Sequence, residues 1–491
     1  MKRLGNFIQG KLETSFPSSC AVIPVKSPLT QDTLLVVPQT PETELQRAVS
    51  IAQAAFQSWR EVPMPKRQRV MFEFQHLLKQ HEEEVAKLIV AENGKTLHDA
   101  RMDVFRGREV VESACSAGML SMGETLEQLS HDGIDTLSIH QPLGVTLGIC
   151  PSNYPAMVPL WMFPLALTSG NTMILKPSER TPSAAVYLAE LAHQAGIPNG
   201  VLQVCHGSAP AVDYLCQAPE VKAVSFVGSD AVGAKVYQLA SQHGKRVQSN
   251  LGAKCHALIM PDADKDLTIQ RIISGAFAST GQRCMAITVA IFVGESSSWI
   301  QEIVERSGDL KTGSGLDPTT FYGPMTTSEA KARALEIIQE GIDDGAICLK
   351  DGRNIVVKDY PPGNFIGPTI LSNVNTMNRA YIKEIFGPVL CCMTVDKFEE
   401  GLEIINNNKY GNGAVIFTNS GKAARKFQHE VDAGQVGINV PVPVPLPSFS
   451  FTGSKASMLG DLHFNAKEGV RFYTQPKTII SNWSSKGGAG W

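Results

Sequence analysis

Gly144-Val145-Thr146-Leu147-Gly148-Ile149-Cys150-Pro151-Ser152-Asn153-Tyr154-Pro155 opens the part of the chain in which the fold can be read. Residues 144–150 form a short β-rich run, and the proline-bounded turn around Asn153 ends it. A helix-like stretch follows, then a strand over 172–175 and the turn Lys176-Pro177-Ser178-Glu179-Arg180. Pro182 opens a helix over 183–195, which Gly196 closes. Beyond it the pattern predicts a strand at 201–205, a helix at 211–217 and a strand at 221–227 ending in Gly228-Ser229. A helix at 231–242 and a strand at 246–251 complete the region. Strands alternating with helices at this spacing imply a parallel sheet with crossover helices. Ligands on such sheets bind at the carboxyl ends of the strands. Three turns lie there, at Asn153, at Lys176 to Arg180 and at Gly228-Ser229.

A second α/β region spans 252–445, with a helix over 267–281, a strand over 286–293 and a helix over 329–341. The first hundred residues read mainly helical, with apolar residues at three- and four-residue spacing over 42–59 and 67–92. Two β-rich segments, 133–142 and 470–480, are far apart in sequence and suit pairing in an oligomerisation flap. Residues 484–490 form a Ser/Gly-rich tail.

Composition narrows the function class. The 491 residues carry 44 Lys and Arg against 47 Asp and Glu, a formal charge of −3. That balance provides no electrostatic reason to expect nucleic acid or an anionic membrane as partner. The longest apolar run, 156–167, is interrupted by Pro159 and Pro164 and falls short of the roughly 20 residues of a membrane span. The start, Met1-Lys2-Arg3-Leu4-Gly5-Asn6, resembles neither a signal peptide nor an organellar presequence. Ten scattered cysteines include no C-x-x-C pair and no Cys/His cluster at zinc spacing, so no metal and a reducing compartment are expected.

Neither G-x-G-x-x-G nor a P-loop is present. Gly228-Ser229 precedes a helix whose N-terminus suits a phosphate, though an ordinary strand-to-helix turn reads the same way. Lys176 and Glu179 suit ribose hydroxyls, and the carboxylate would repel a 2′-phosphate, favouring NAD over NADP. Without a ligand they would form a solvated charged turn. Cys284, in Gly281-Gln282-Arg283-Cys284-Met285, lies between a helix and a strand, where Arg283 would lower the thiol pKa. Structural cysteines also occupy such boundaries. Glu384-Ile385-Phe386-Gly387-Pro388 reads as a strand leading to a turn. Arg106 has Glu109 three residues on, so a helix-face ion pair is expected.

Taken in order, these motifs resemble the aldehyde dehydrogenase superfamily from Leu4 to Trp483. The resemblance implies an α/β fold with a Rossmann-type NAD domain (1–122 and 143–251) and an α/β catalytic domain (252–445). It also implies a small β oligomerisation flap with its arm segments (123–142 and 446–483), followed by the tail 484–491. It implies Cys284 as nucleophile, and an oxyanion hole made by the Asn153 amide and the Cys284 backbone N–H. Lys176, Glu179, Arg180, Gly228 and Ser229, with main chain near Cys150 and Ser152, would hold the adenosine and phosphates. Glu384 would hold the nicotinamide ribose, with Phe386 packed nearby. A homotetramer built from dimers is implied, in the mitochondrial matrix if the organism is eukaryotic, with the cytosol as the alternative because no presequence is visible.

A narrower resemblance is to the CoA-acylating methylmalonate-semialdehyde dehydrogenases. Its marks are Asn250-Leu251-Gly252-Ala253-Lys254, Gly281-Gln282-Arg283-Cys284-Met285 and the run Asn439-Val440-Pro441-Val442-Pro443-Val444-Pro445-Leu446-Pro447 with Phe449-Ser450-Phe451-Thr452-Gly453. Hydrolytic relatives have a glutamate where Asn250 stands, and an amide cannot accept the proton of a deacylating water. The thioester on Cys284 would therefore wait for the CoA thiol. Arg106 and Arg283 would grip the carboxylate of the semialdehyde. Loss of CO2 would then give propionyl-CoA or acetyl-CoA, in valine and pyrimidine catabolism. The alternatives are a hydrolytic dehydrogenase releasing free acid and a non-catalytic NAD-binding protein. Ser152, Cys255, Ser279-Thr280 and His463-Phe464-Asn465-Ala466-Lys467 depart from the family pattern.

Overall fold

A computed structural model describes residues 2–15, 20–127 and 133–483; the 484–491 tail expected from the sequence lies outside them. An eight-stranded sheet is built on five parallel strands, in spatial order Leu202–Val204, Thr172–Lys176, Val145–Ile149, Val221–Val227 and Arg246–Asn250. In chain order this is 3-2-1-4-5, with the reversal between Val145–Ile149 and Val221–Val227. The crevice at that reversal is where such sheets bind ligands. The two strands flanking it are almost wholly buried, as crossover helices on both faces require. Antiparallel strands Phe7–Ile8 and Met458–Leu459 extend the two edges.

The second sheet has seven strands. Its parallel body runs Thr369–Ser372, Val389–Val395, Ile287–Val293, Cys255–Ile259, Gly413–Phe417 and Gln435–Ile438, with Ile347–Lys350 antiparallel at one edge. A third sheet pairs Thr474–Asn482 antiparallel to Ile134–Pro142, with Glu124–Leu126 beyond it. The two distant β-rich segments do pair. Helix Met157–Thr168 lies in the core with every residue buried, and its Trp161 packs against Phe451 and Phe464 at 4.6 and 5.7 Å. That contact ties the helix to the long C-terminal loop.

Several expectations need correction. The helix expected over 67–92 is two helices, Met64–Gln80 and Glu82–Asn93, separated at His81, whose backbone (φ −105°, ψ 17°) leaves the helical region. The first hundred residues also hold the hairpin Val22–Lys26 and Thr33–Pro38, too short for a periodic signal. The helix expected to reach Gly281 stops at Phe277, because Ser279 and Thr280 adopt φ 52° and 59°. Residues 470–473 close the helix Ala466–Tyr473, and the strand begins only at Thr474. Glu384-Ile385-Phe386 is irregular backbone ahead of the strand Val389–Val395, the reverse of the strand-then-turn order. Among the described residues no helix is long and apolar enough to cross a membrane.

Candidate active site

The two large sheets bring three loops together around one thiol. The first follows Val145–Ile149 and carries Asn153, whose Nδ2 donates to the Gln282 carbonyl at 3.1 Å. The Asn153 carbonyl in turn accepts from Lys95 Nζ at 2.6 Å. Lys95 is 3% exposed and pairs at 3.1 Å with buried Asp103, whose other oxygen accepts from Met157 N at 2.8 Å. A buried ion pair is costly unless its remaining hydrogen-bonding capacity is filled, and here backbone groups fill it. The sequence reading missed Lys95 and Asp103. The only local signal was a lysine after the helix-ending Gly94, which does not identify a buried partner.

The second loop carries Cys284. The left-handed residues Ser279 and Thr280 lead into Gly281 at φ 65°, where a Cβ would lie 2.2 Å from the Gly387 carbonyl oxygen. No other residue fits there, and this contact holds the third loop, with Glu384 and Phe386, against the second. Glu384 Oε1 accepts from Ala253 N at 2.8 Å, and Phe386 itself has φ 54°. Left-handed backbone at a bulky residue is strained and concentrates at functional sites.

Two cavities meet at Cys284. One, of about 570 Å³, is lined by Cys150, Ser152, Asn153, Lys176, Glu179, Arg180, Gly228, Ser229, Glu384 and Phe386 as well as Cys284. All the cofactor-site residues expected from sequence thus border one space. Lys176, 5% exposed, donates to Glu179 at 3.2 Å and to the Gly207 carbonyl at 2.9 Å. Burial pushes the Glu179 carboxyl up, but the Lys176 ammonium and local hydrogen bonds outweigh it, and the group stays below its ordinary value. Arg180 reaches Glu329 at 3.5 Å from the second sheet's region. Ser229 is the N-cap of helix Asp230–Gln242, and a Cβ at Gly228 would meet the Phe226 ring at 2.6 Å.

The other cavity, of about 560 Å³, is lined by Arg106, Arg283, Tyr154, Trp161 and Phe451 as well as Cys284. Arg106, on helix Leu97–Ala114, makes the expected pair with Glu109 at 2.8 Å and still borders the cavity. Arg283 Nε is buried with no hydrogen-bond partner among the described residues.

Burial pushes the Cys284 thiol up to about 12, and the Glu384 carboxylate adds to the rise. Arg283 acts in the expected downward direction, but is the weakest influence. The lowered thiol pKa expected from sequence is therefore reversed. Asn250 is 1% exposed and lines the cofactor cavity. Its Nδ2 donates to Asn412 Oδ1 at 3.2 Å, and its Oδ1 is buried without a partner among the described residues. Cys255 donates its thiol hydrogen to the Cys284 carbonyl at 3.3 Å. Thr280 Oγ1 donates to the Gly323 carbonyl at 2.9 Å, and the Ser152 carbonyl accepts from Asn93 Nδ2 at 2.9 Å. Two of the departing positions, Cys255 and Thr280, therefore support the Cys284 loop. Among the described residues no group of three or more His, Cys, Asp or Glu is placed to hold a metal ion.

The sequence profile of the aldehyde dehydrogenase family matches residues 16–479. An Arabidopsis thaliana protein named methylmalonate-semialdehyde dehydrogenase [acylating], mitochondrial, is 53% identical over 481 residues, covering 98% of this chain and 79% of that protein. The Homo sapiens methylmalonate-semialdehyde/malonate-semialdehyde dehydrogenase [acylating], mitochondrial, is 48% identical, covering 98% and 89%. Among solved structures, the methylmalonate-semialdehyde dehydrogenase of Oceanimonas doudoroffii superposes with a TM-score of 0.97 at 41% identity, over 99% of both chains. A Sinorhizobium meliloti 1021 protein crystallised with NAD gives a TM-score of 0.97 at 40% identity, again over 99% of both. On sequence, fold and the order of its site motifs, the chain belongs to the aldehyde dehydrogenase family.

Proposed function

We propose that this protein is an NAD-dependent, CoA-acylating oxidoreductase of methylmalonate and malonate semialdehydes. The observation that carries the reading is the position of Cys284 between a cofactor-shaped and an arginine-bearing cavity, with Asn250 buried at the wall. The names of relatives at about 50% identity support the same substrate class. NAD suits the cavity lined by Lys176 and Glu179 on two grounds. Lys176 and Glu179 offer a paired donor and carboxylate at a strand's carboxyl end, and Ser229, the N-cap of helix Asp230–Gln242, borders the same cavity. Lys176, Glu179, Arg180 and Ser229 would hold its adenosine half, and Glu384 and Phe386 its nicotinamide half. When bound, NAD supplies the hydride acceptor for the oxidation.

The chain's own groups do the rest. The Cys284 thiol loses its proton to solvent as Sγ attacks the aldehyde carbon, and the resulting oxyanion is stabilised by the Cys284 backbone N–H and the Asn153 amide. Asn153 Nδ2 has two hydrogens and gives only one to Gln282, so one remains for substrate. Arg106 and Arg283 bind the distal carboxylate, which lies β to the thioester carbonyl once the acyl group is on Cys284. The carbon–carbon bond to that carboxylate breaks, CO2 leaves, and the resulting thioester enolate takes a proton from solvent at carbon. The CoA thiol then attacks. A carbon–sulfur bond to CoA forms, the bond to Cys284 Sγ breaks, and the thiol proton ends on Cys284. Asn250 cannot accept a proton from water, so hydrolysis stays slow.

The same reading assigns the first sheet and its helices (1–122 and 143–251) to the NAD domain and 252–445 to the catalytic domain. The segments 123–142 and 446–483, to which the strands of the third sheet belong, become the oligomerisation flap and arms of a homotetramer. Relatives named mitochondrial support a mitochondrial location in a eukaryote, the matrix by this reading. The proposed substrates suit valine and pyrimidine catabolism. The test is NADH formation with and without CoA. Without CoA a burst stoichiometric with Cys284 followed by slow turnover is expected. Steady turnover at the rate seen with CoA would instead identify a hydrolytic enzyme.

A further inference from the structure

Behind Cys284 lies a short relay of side chains whose direction is dictated by chemistry. Asn412 sits just ahead of Gly413–Phe417 in the seven-stranded sheet, and Asn250 ends Arg246–Asn250 in the eight-stranded one. Asn412 Nδ2 donates to the Cys284 carbonyl at 3.1 Å and lies 3.0 Å from Met285 Sδ. Both of those groups only accept, so the NH2 end of Asn412 must face them. Its oxygen is thereby turned toward Asn250 and accepts from Asn250 Nδ2 at 3.2 Å. What remains of Asn250 is one Nδ2 hydrogen and its oxygen, a buried acceptor with no partner among the described residues, on a residue that lines the cavity reaching Cys284. The backbone of Asn250 is pinned too, its carbonyl accepting from Gly228 N at 3.1 Å. A buried polar atom left unpaired is costly, and its persistence calls for a donor that arrives during the reaction.

The geometry points to Asn412 as a positioning residue that reads the Cys284 carbonyl and turns the Asn250 amide, so that its oxygen accepts the S–H of the incoming acyl-acceptor thiol. The inference rests on the CoA-acylating reading above. An amide oxygen orients a thiol or a water equally but takes a proton from neither, and only the thiol is acidic enough to react without a base. In the step it serves, the carbon–sulfur bond to CoA forms as the bond to Cys284 Sγ breaks, and the thiol proton passes to the departing Cys284. With the Asn412 anchor removed, the Asn250 amide is free to turn its NH2 toward the arriving thiol. Two donors would then face each other.

The test is the partition of the acyl-enzyme between acyl-CoA and free acid at a fixed, subsaturating CoA concentration, measured with the NADH burst. Asn412→Leu should keep the burst amplitude within about twofold and lower the acyl-CoA to acid ratio by about tenfold, the factor one lost hydrogen bond commands. In an Asn250→Ala background the same substitution should shift the ratio no further, because it acts through Asn250. Cys255→Ala removes the other side-chain donor to the Cys284 carbonyl without touching the relay, and should leave the ratio unchanged. If leucine prevents folding, Asn412→Ala carries the same test. An unchanged ratio, an equal loss of burst and CoA-dependent rate, a full effect without Asn250, or an equal shift in Cys255→Ala would each overturn the role. Wild-type enzyme that releases free acid in the presence of saturating CoA would instead overturn the proposed function, and this inference with it.

Discussion

The two cavities that share Cys284 are nearly equal in volume, about 570 and 560 Å³, and treat charge in opposite ways. On the cofactor side, charge is balanced within the chain. Lys176 is buried against Glu179, and Glu384 is held by a backbone N–H. On the other side, Arg106 leans on a partly exposed Glu109, and Arg283 keeps a buried nitrogen without a partner among the described residues. By the proposed reading, the first space takes the cofactor. The second retains positive charge that a small anion would complete. Binding of the large ligand needs shape, whereas choice of the small one depends on charge-assisted hydrogen bonds.

If both cavities serve one reaction, removing their common atom should have the largest effect. Cys284→Ser should lower NADH formation by about 1000-fold or more, because a hydroxyl without a base is a far weaker nucleophile. NAD binding by titration should stay within about twofold. Turnover within tenfold of the wild type would show that the cavities meet at the wrong atom.

Next in size is the charge on the substrate side alone. Arg106→Ala should lower kcat/KM for carboxylate-bearing semialdehydes by about 10- to 150-fold, the worth of one charge-assisted hydrogen bond. Propanal, which has no carboxylate, should be nearly unaffected. Equal losses on both substrates would mean that Arg106 serves only its helix-face pair with Glu109.

The smallest effect concerns how the cofactor side acts on the nucleophile. With the thiol pushed up to about 12, alkylation of Cys284 in cofactor-free protein should rise about tenfold per pH unit between pH 7 and 9. The sign for stability follows. The folded state holds this proton more tightly than the unfolded chain, so the associated stabilisation is full below about pH 9 and is lost as pH rises toward 12. Glu384→Gln removes a negative charge that disfavours the thiolate, and should speed alkylation at pH 8 by about threefold. Slower or unchanged labelling would show that burial alone sets the thiol.

The sequence carried the motif order and, from it, the cofactor residues, because each lies within a few residues of a strand end. A turn that follows a parallel strand must open at the carboxyl edge, so alternation placed Lys176, Glu179 and Gly228-Ser229 at that edge, and only the family resemblance gave them a cofactor role. The family of the chain followed from those motifs and from Cys284. The Asn439 to Pro447 run and Asn250 narrowed the resemblance further, since an amide in place of a carboxylate changes which proton transfers are possible.

What the linear chain could not express was any property that depends on two distant segments meeting. Arg283 adjoins Cys284 in sequence, yet the net effect on the thiol comes from burial and from Glu384, 100 positions away. The Lys95–Asp103 pair beneath Asn153 and the Asn250–Asn412–Cys284 relay likewise exist only once separate loops or sheets pack together. Local propensity and periodicity record which element a residue joins, since they arise from near neighbours. Desolvation and hydrogen-bond direction arise from whatever the fold places alongside, and they are therefore decided only in the tertiary structure.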